Sequence, residues 1–232
     1  MPGCGWQLER GQLMPPAPSF RDFDLLVFDF DGTLANSADW FRAILPDLAR
    51  RFGFRCPDQE ELEVLRHKPP REVMRILKIP GWKLVFIAVH VRKRAAKAEA
   101  FPLFDGVPEA LRALASGGVK IAVVSSNAEG NVRRALGPEL SALVSSWSCG
   151  AGMFGKAKHF RDVLRETKVA PERALSVGDE IRDIEAARDV GVKTAAVTWG
   201  FGMKPALEAA KPDLLFNSVG EFQAFVSSEA RP

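Results

Sequence analysis

Histidine, cysteine and long apolar runs are scarce in this chain, and each scarcity removes a class of protein. Three residues of 232 are cysteine. Cys4, Cys56 and Cys149 stand far apart without paired spacing, which argues against a disulfide framework and fits free thiols in a reducing compartment, with the cytoplasm as the expected location. His67, His90 and His159 show no metal-ligand spacing, and only His67 sits in a segment that invites attention. The longest strong apolar run, residues 84 to 91, has a histidine inside it and falls far short of the roughly 20 residues that span a bilayer, so no membrane partner is expected. A net charge of only +3 argues against a dedicated nucleic-acid binder. Residues 1–20 carry glycines and prolines without a continuous apolar segment and read as a flexible tail, not a signal peptide.

What the chain does have is 47% apolar content, enough for one sizeable core and a small second domain. Charge divides it. Between Trp40 and Ala100 there are fourteen Lys or Arg against seven Asp or Glu, leaving 18 against 22 elsewhere. The basic segment also has helical periodicity, at Trp40, Phe41, Ile44, Leu45, Leu48 and Phe52, then at Leu62 and Leu65, then at Val73, Met74, Ile76 and Leu77. Small residues at 35–38 and the Phe101–Gly106 stretch flank it as hinges.

After the second hinge the pattern alternates. Helices are expected at 108–114, 130–136 (closed by Gly137), 156–167, 181–190 and 219–226, with strands at 119–124, 143–147, 174–177, 194–198 and 214–216. Leu25 to Phe28 supplies a first strand. Such alternation implies a parallel sheet covered on both faces, with its ligand crevice at the carboxyl ends of the strands.

Four polar segments fall at those ends. Val27-Phe28-Asp29-Phe30-Asp31-Gly32-Thr33 delivers two carboxylates into a glycine turn. Strand alternation puts Asp29 and Asp31 on one side, an arrangement that is costly unless a cation lies between them or one is kept protonated. The plain alternative is an ordinary acidic Asp-Gly turn. Val124-Ser125-Ser126-Asn127 ends a strand with groups that can hold phosphate oxygens or merely cap a helix. Gly155-Lys156 starts a helix with a cation, unfavourable against the helix dipole unless an anion is near. Ser176-Val177-Gly178-Asp179-Glu180-Ile181-Arg182-Asp183 ends a strand in Gly-Asp, with a further carboxylate one turn on.

In order and setting, these four segments resemble the haloacid dehalogenase superfamily, its phosphoglycolate phosphatase-like and β-phosphoglucomutase-like branch, from about residue 22 to residue 226. The first signature stands here as Asp29-Phe30-Asp31-Gly32-Thr33-Leu34. The resemblance implies an α/β, Rossmann-like core of residues 21–36 and 101–228, with an α-helical cap of residues 37–100. It further implies that Asp29 is the nucleophile forming an aspartyl phosphate and that Asp31 is the acid and base. Mg2+ would be held by Asp29, Asp179, Asp183 and the Asp31 backbone carbonyl, and phosphate by Gly32, Thr33, Ser125, Ser126, Asn127 and Lys156. Glu180, next to Asp179, is expected to face solvent or support the site from outside. Asn36 departs from the aspartate common in relatives, with an effect on hinge hydrogen bonding.

Within the basic segment, Arg66-His67-Lys68-Pro69-Pro70-Arg71 makes Arg71, then Lys68, the candidate substrate contacts. The expected partner is a small phosphorylated metabolite, a phosphoglycolate-like acid, sugar phosphate or nucleotide, hydrolysed by a monomer or homodimer. Phosphomutase chemistry uses the same residues, and a catalytically silent binding or regulatory protein on this scaffold is the reading from another class. Dehalogenation has no use for Asp31, and a phosphonate hydrolase would need a cap lysine such as Lys68 or Lys83.

Overall fold

The computed structural model describes residues 19–66, 68, 70–150 and 155–228. Six strands form one sheet: β1 (Leu25–Phe28), β2 (Lys120–Ser125), β3 (Val144–Cys149), β4 (Ala174–Gly178), β5 (Lys193–Val197) and β6 (Leu214–Phe216). Their order is β3-β2-β1-β4-β5-β6, and every neighbouring pair is parallel. Parallel strands need crossovers, and these put helices on both faces, so a central strand is buried on both sides and loses its polar positions. All four residues of β1 are buried. Leu26 and Phe28 enter the larger core with Leu111, Leu114 and Phe222, whereas Leu25 and Val27 enter the opposite one with Phe160 and Val163.

The chain leaves β1 for β2 and β3 on one side, then recrosses to β4, β5 and β6 on the other. The sheet's topological switch point therefore lies between β1 and β4, where a crevice opens at the carboxyl ends of an α/β sheet. Asp29 follows β1 and Asp179 follows β4, one on each side of that crevice.

Between β1 and α5 (Val107–Ser116) the chain inserts α1 (Ala38–Phe52), α2 (Gln59–Arg66), α3 (Pro70–Ile76) and α4 (Lys83–Ala95). The two connections run side by side: Ala35 pairs antiparallel with Leu103, and the Asn36 N–H donates to the Pro102 carbonyl at 2.8 Å. Trp40 packs edge-on against Phe101, with ring centroids 5.2 Å apart. Ile44, Leu45 and Leu48 form the buried stripe of α1 as their spacing predicts, but Phe41, expected on that stripe, is exposed. The remaining helices are α6 (Glu129–Leu143), α7 (Lys156–Thr167), α8 (Ile181–Arg188), α9 (Lys204–Ala209) and α10 (Val219–Ser227).

Two expectations from the sequence need correction. The tail expected over residues 1–20 does not hold at its last two positions: Ser19 caps a single 3₁₀ turn, Phe20–Asp22, and Phe20 is buried in the larger core. Residues 1–18 lie outside the described residues, as does His67. The helix expected to close at Gly137 does break there, at φ 69°, but Pro138 starts a further helical stretch that runs on to Leu143. A proline suits a first helical turn, where no backbone N–H is needed, so one glycine ends a helix and the next residue opens another.

Candidate active site

Asp29 and Asp179 are each delivered by a strand that stops in a turn. Asp29 is one residue past β1, its N–H donates to the Val177 carbonyl at 3.0 Å, and its Oδ1 accepts from the Phe30 N–H at 2.8 Å. Asp179 follows β4 and is fully buried. Its Oδ1 accepts from the Thr33 hydroxyl at 2.9 Å and its Oδ2 from the Phe201 N–H at 2.7 Å. Asp183, in the first turn of α8, accepts from the Glu180 N–H at 3.1 Å. Carboxylate oxygens of Asp29, Asp179 and Asp183 all lie within 4.8 Å of one another.

Lys156 answers this concentration of negative charge. It opens α7, and its Nζ lies 3.2 Å from Asp29 Oδ2 and 2.5 Å from Asp183 Oδ1. The anion that a lysine at a helix start calls for is thus present twice over. Burial works against the charge of Lys156, yet the Asp29 and Asp183 carboxylates hold its pKa above the ordinary lysine value. Burial pushes Asp29 up from 3.8 to about 7, with Lys156 opposing the rise and Asp183 adding to it. Asp179 is driven well above its ordinary value by burial and by the charges of Asp29, Glu180 and Asp183. Three buried carboxylates against one lysine leave the cluster short of positive charge, and the donors are all oxygen, which is the set a hard divalent cation takes.

Asp31 stands apart from that cluster. Burial raises its pKa, while hydrogen bonds from Ser37 and Asn127 work against the rise. The Asn127 Nδ2 donates to both of its carboxyl oxygens, at 3.3 and 3.0 Å. Ser125 is fully buried, and its hydroxyl accepts from the Asn127 N–H at 3.0 Å. So of the residues expected at phosphate, Thr33 turns its hydroxyl to Asp179 and Asn127 turns its amide to Asp31. Gly32, at φ 81°, closes the turn, and Ser126 is half-buried beside Ser125.

Glu180 caps α8, pairing with Arg182. The Arg182 charge works against the rise at both Asp29 and Asp31, a role not expected from the sequence. Arg71 is exposed at the start of α3, and Lys68 pairs with Glu72 at 2.7 Å. Burial pushes the free Cys149 thiol up to about 12, which favours its protonated form.

The loop after β5 belongs to none of the four polar segments, and it completes the site. The Trp199 indole N–H donates to the Thr33 carbonyl at 3.1 Å, and Phe201 supplies its N–H to Asp179. A Cβ on Gly200 would collide with Asp179 Oδ2 and the Gly32 carbonyl, and one on Gly202 with the Asp179 carbonyl. A Cβ on Gly32 would come within 2.7 Å of the Phe201 ring. The signal along the chain is Trp199-Gly200-Phe201-Gly202, two glycines one residue apart at a strand's carboxyl end, where close backbone approach is the usual reason for glycine.

A family model described as haloacid dehalogenase-like hydrolase matches residues 26–197. A phosphoglycolate phosphatase of Synechococcus elongatus is 31% identical over 208 residues, covering 89% of this chain and 98% of its own. Pyrophosphatase PpaX of Bacillus cereus is 27% identical over 215 residues, covering 89% and 97%. A solved haloacid dehalogenase-like hydrolase from Streptococcus pneumoniae has a similar fold, with a TM-score of 0.73 at 20% identity over 88% of this chain and 99% of that one.

Proposed function

The chain belongs to the haloacid dehalogenase-like hydrolases, and from that premise we propose that it is a magnesium-dependent phosphatase of small phosphorylated metabolites, with Asp29 as nucleophile. The observation that carries this reading is the buried triad of Asp29, Asp179 and Asp183 around Lys156 at the switch point. Similarity to a phosphoglycolate phosphatase supports a compact anionic substrate of that kind.

In the first step an Asp29 carboxylate oxygen attacks phosphorus while the ester oxygen departs with its electron pair and takes the proton of Asp31. The raised pKa of Asp31 suits a group that must carry a proton at neutral pH. In the second step water attacks the aspartyl phosphate at phosphorus, the ionised Asp31 accepts its proton, and Asp29 returns as carboxylate. Lys156 opposes the burial that favours the protonated form of Asp29 and offers its charge to the phosphoryl oxygens, joined by the Ser126 N–H and the hydroxyl of Ser125. The Gly32 and Thr33 N–H groups, expected at phosphate, donate instead to the Ala35 and Phe30 carbonyls at 2.9 and 3.3 Å. Asp29, Asp179 and Asp183, with the Asp31 carbonyl, would hold Mg2+, which when bound supplies charge neutralisation at the phosphoryl group. The helical insert acts as a lid, with Arg71 as the contact to the substrate's second anionic group.

The test is phosphate release from a panel of phosphorylated metabolites, with and without Mg2+, by the parent and by Asp29→Asn. Magnesium-dependent release by the parent alone bears the reading out. Absence of release from every compound contradicts it and leaves mutase or binding chemistry.

A further inference from the structure

We propose that Asn131 is a positioning residue for catalysis: its side chain locks the Asn127 amide in the orientation that clamps both carboxyl oxygens of Asp31. The inference rests on the reading of Asp31 as the proton donor and adds to it the device that aims it.

The two ends of an asparagine amide have nearly the same shape, so Asn127 alone has two orientations of opposite chemistry. One presents N–H donors to Asp31, and the other presents a carbonyl oxygen, which an ionised carboxylate repels. The surroundings decide between them. Asn127 Oδ1 accepts from the Ala128 N–H at 2.9 Å and from Asn131 Nδ2 at 2.8 Å. A backbone N–H donates only, and with a second donor on the same oxygen, a flipped Asn127 would set its NH₂ against two donors. Its Nδ2 is therefore left to Asp31, at 3.0 and 3.3 Å.

Asn131 reaches back to Asn127 from the first turn of α6, Asn127 standing just before the Ala128 cap of that helix. Asn131 is 3% exposed. Burying an amide in a helix is unfavourable on both propensity and desolvation, so such a residue stays only where its hydrogen bonds matter. Ala or Leu would fill that helical position at lower cost. A carboxyl group that hands a proton to a departing oxygen must lie within a narrow range of orientation, and a clamp on both oxygens fixes the plane of the group.

The experiment compares kcat/KM on two esters that differ in their need for a proton. Phosphoglycolate loses an alkoxide that must be protonated as it leaves; p-nitrophenyl phosphate loses a stable anion that need not be. Parent, Asn131→Asp, Asn131→Ala and Asp31→Asn are measured on both, with thermal melts to establish folding. Asn131→Asp keeps the shape but removes the donor, and Asn131→Ala carries the same comparison should the new carboxylate prevent folding. The expected result is a loss of about tenfold or more on phosphoglycolate, residing in kcat, against less than about twofold on p-nitrophenyl phosphate, with Asp31→Asn biased the same way and more strongly. Equal losses on both esters in the Asn131 variants, while Asp31→Asn remains biased, would overturn the positioning role. An unbiased Asp31→Asn would instead overturn the reading of Asp31 itself, and the inference with it.

Discussion

The switch point and the helical insert handle charge in opposite ways. At the switch point Asp29, Asp179 and Asp183 are buried within hydrogen-bonding reach of fixed partners, and Lys156 is nearly so. In the insert the charges are exposed or half-exposed, and they pair with near neighbours, Arg42 with Asp39, Arg50 with Asp47 and Lys68 with Glu72, or across to another element, Arg55 with Glu61 and Arg94 with Asp47. Such exposed pairs are worth a few tenths of a kcal/mol. Buried charge is tolerated only where something else needs it, so the contrast separates charge that performs chemistry from charge that keeps a surface wet.

Substitutions sharpen that contrast, and the largest effect is expected at Asp29. Asp29→Asn should lower kcat on the order of 10⁴-fold or more, as removal of a nucleophile does, while raising the melting temperature of the metal-free protein, because a neutral amide avoids the cost of burying that carboxylate. A loss of activity with a gain of stability is the mark of charge held for function, and a melting temperature that fell would break the comparison. Lys156→Met should cost both: about 10²-fold in kcat and about 3 kcal/mol in stability, because it strands buried carboxylates. Urea unfolding reads the second number.

The pH dependence of stability follows in size. Asp29 has its pKa raised from 3.8 to about 7 in the fold. The folded protein therefore keeps a proton that the unfolded chain gives up across that window. Stability of the metal-free protein is full below the lower value and falls as pH rises towards the upper one. Urea midpoints in chelator across this range should decline, and added Mg2+ should flatten the slope. A midpoint that rose with pH would show that Asp29 is not held protonated. Gly202→Ala pushes a methyl into the Asp179 carbonyl, and a displacement of that order should cost about tenfold to 10²-fold in kcat/KM. Arg71→Ala should leave the melting temperature unchanged and raise KM several-fold for a substrate with a second anionic group. An unchanged KM would place Arg71 with the solvated cations.

The sheet was legible because buried parallel strands are short, nearly pure apolar runs: β1 and β6 have the bounds that their composition predicts, and α7 begins and ends where its flanking residues say. The carboxylates at the strand ends were legible for the same reason, since a charge placed at the end of an apolar run costs desolvation that only a cation or a reaction offsets. What escaped depends on side chains meeting across the fold. Asn127 was expected at phosphate, yet nothing along the chain tells that Asp31, ninety-six positions away in sequence, takes its amide. Phe41 matches the periodicity of α1 and is nevertheless exposed, because an apolar stripe is buried only as widely as its neighbours reach. The Gly200 and Gly202 pair falls outside the polar segments, and only the fold sets Asp179 against it.

The most direct measurement is chemical trapping during turnover. Parent enzyme mixed with substrate and Mg2+, quenched within one turnover and reduced with borohydride, should carry homoserine in place of aspartate at position 29, as a peptide map by mass spectrometry reads, because borohydride reduces an acyl phosphate but not a free carboxylate. Rapid turnover with no modification at Asp29, or with the modification at another carboxylate, would contradict the nucleophile assignment and the reading of the switch point built on it.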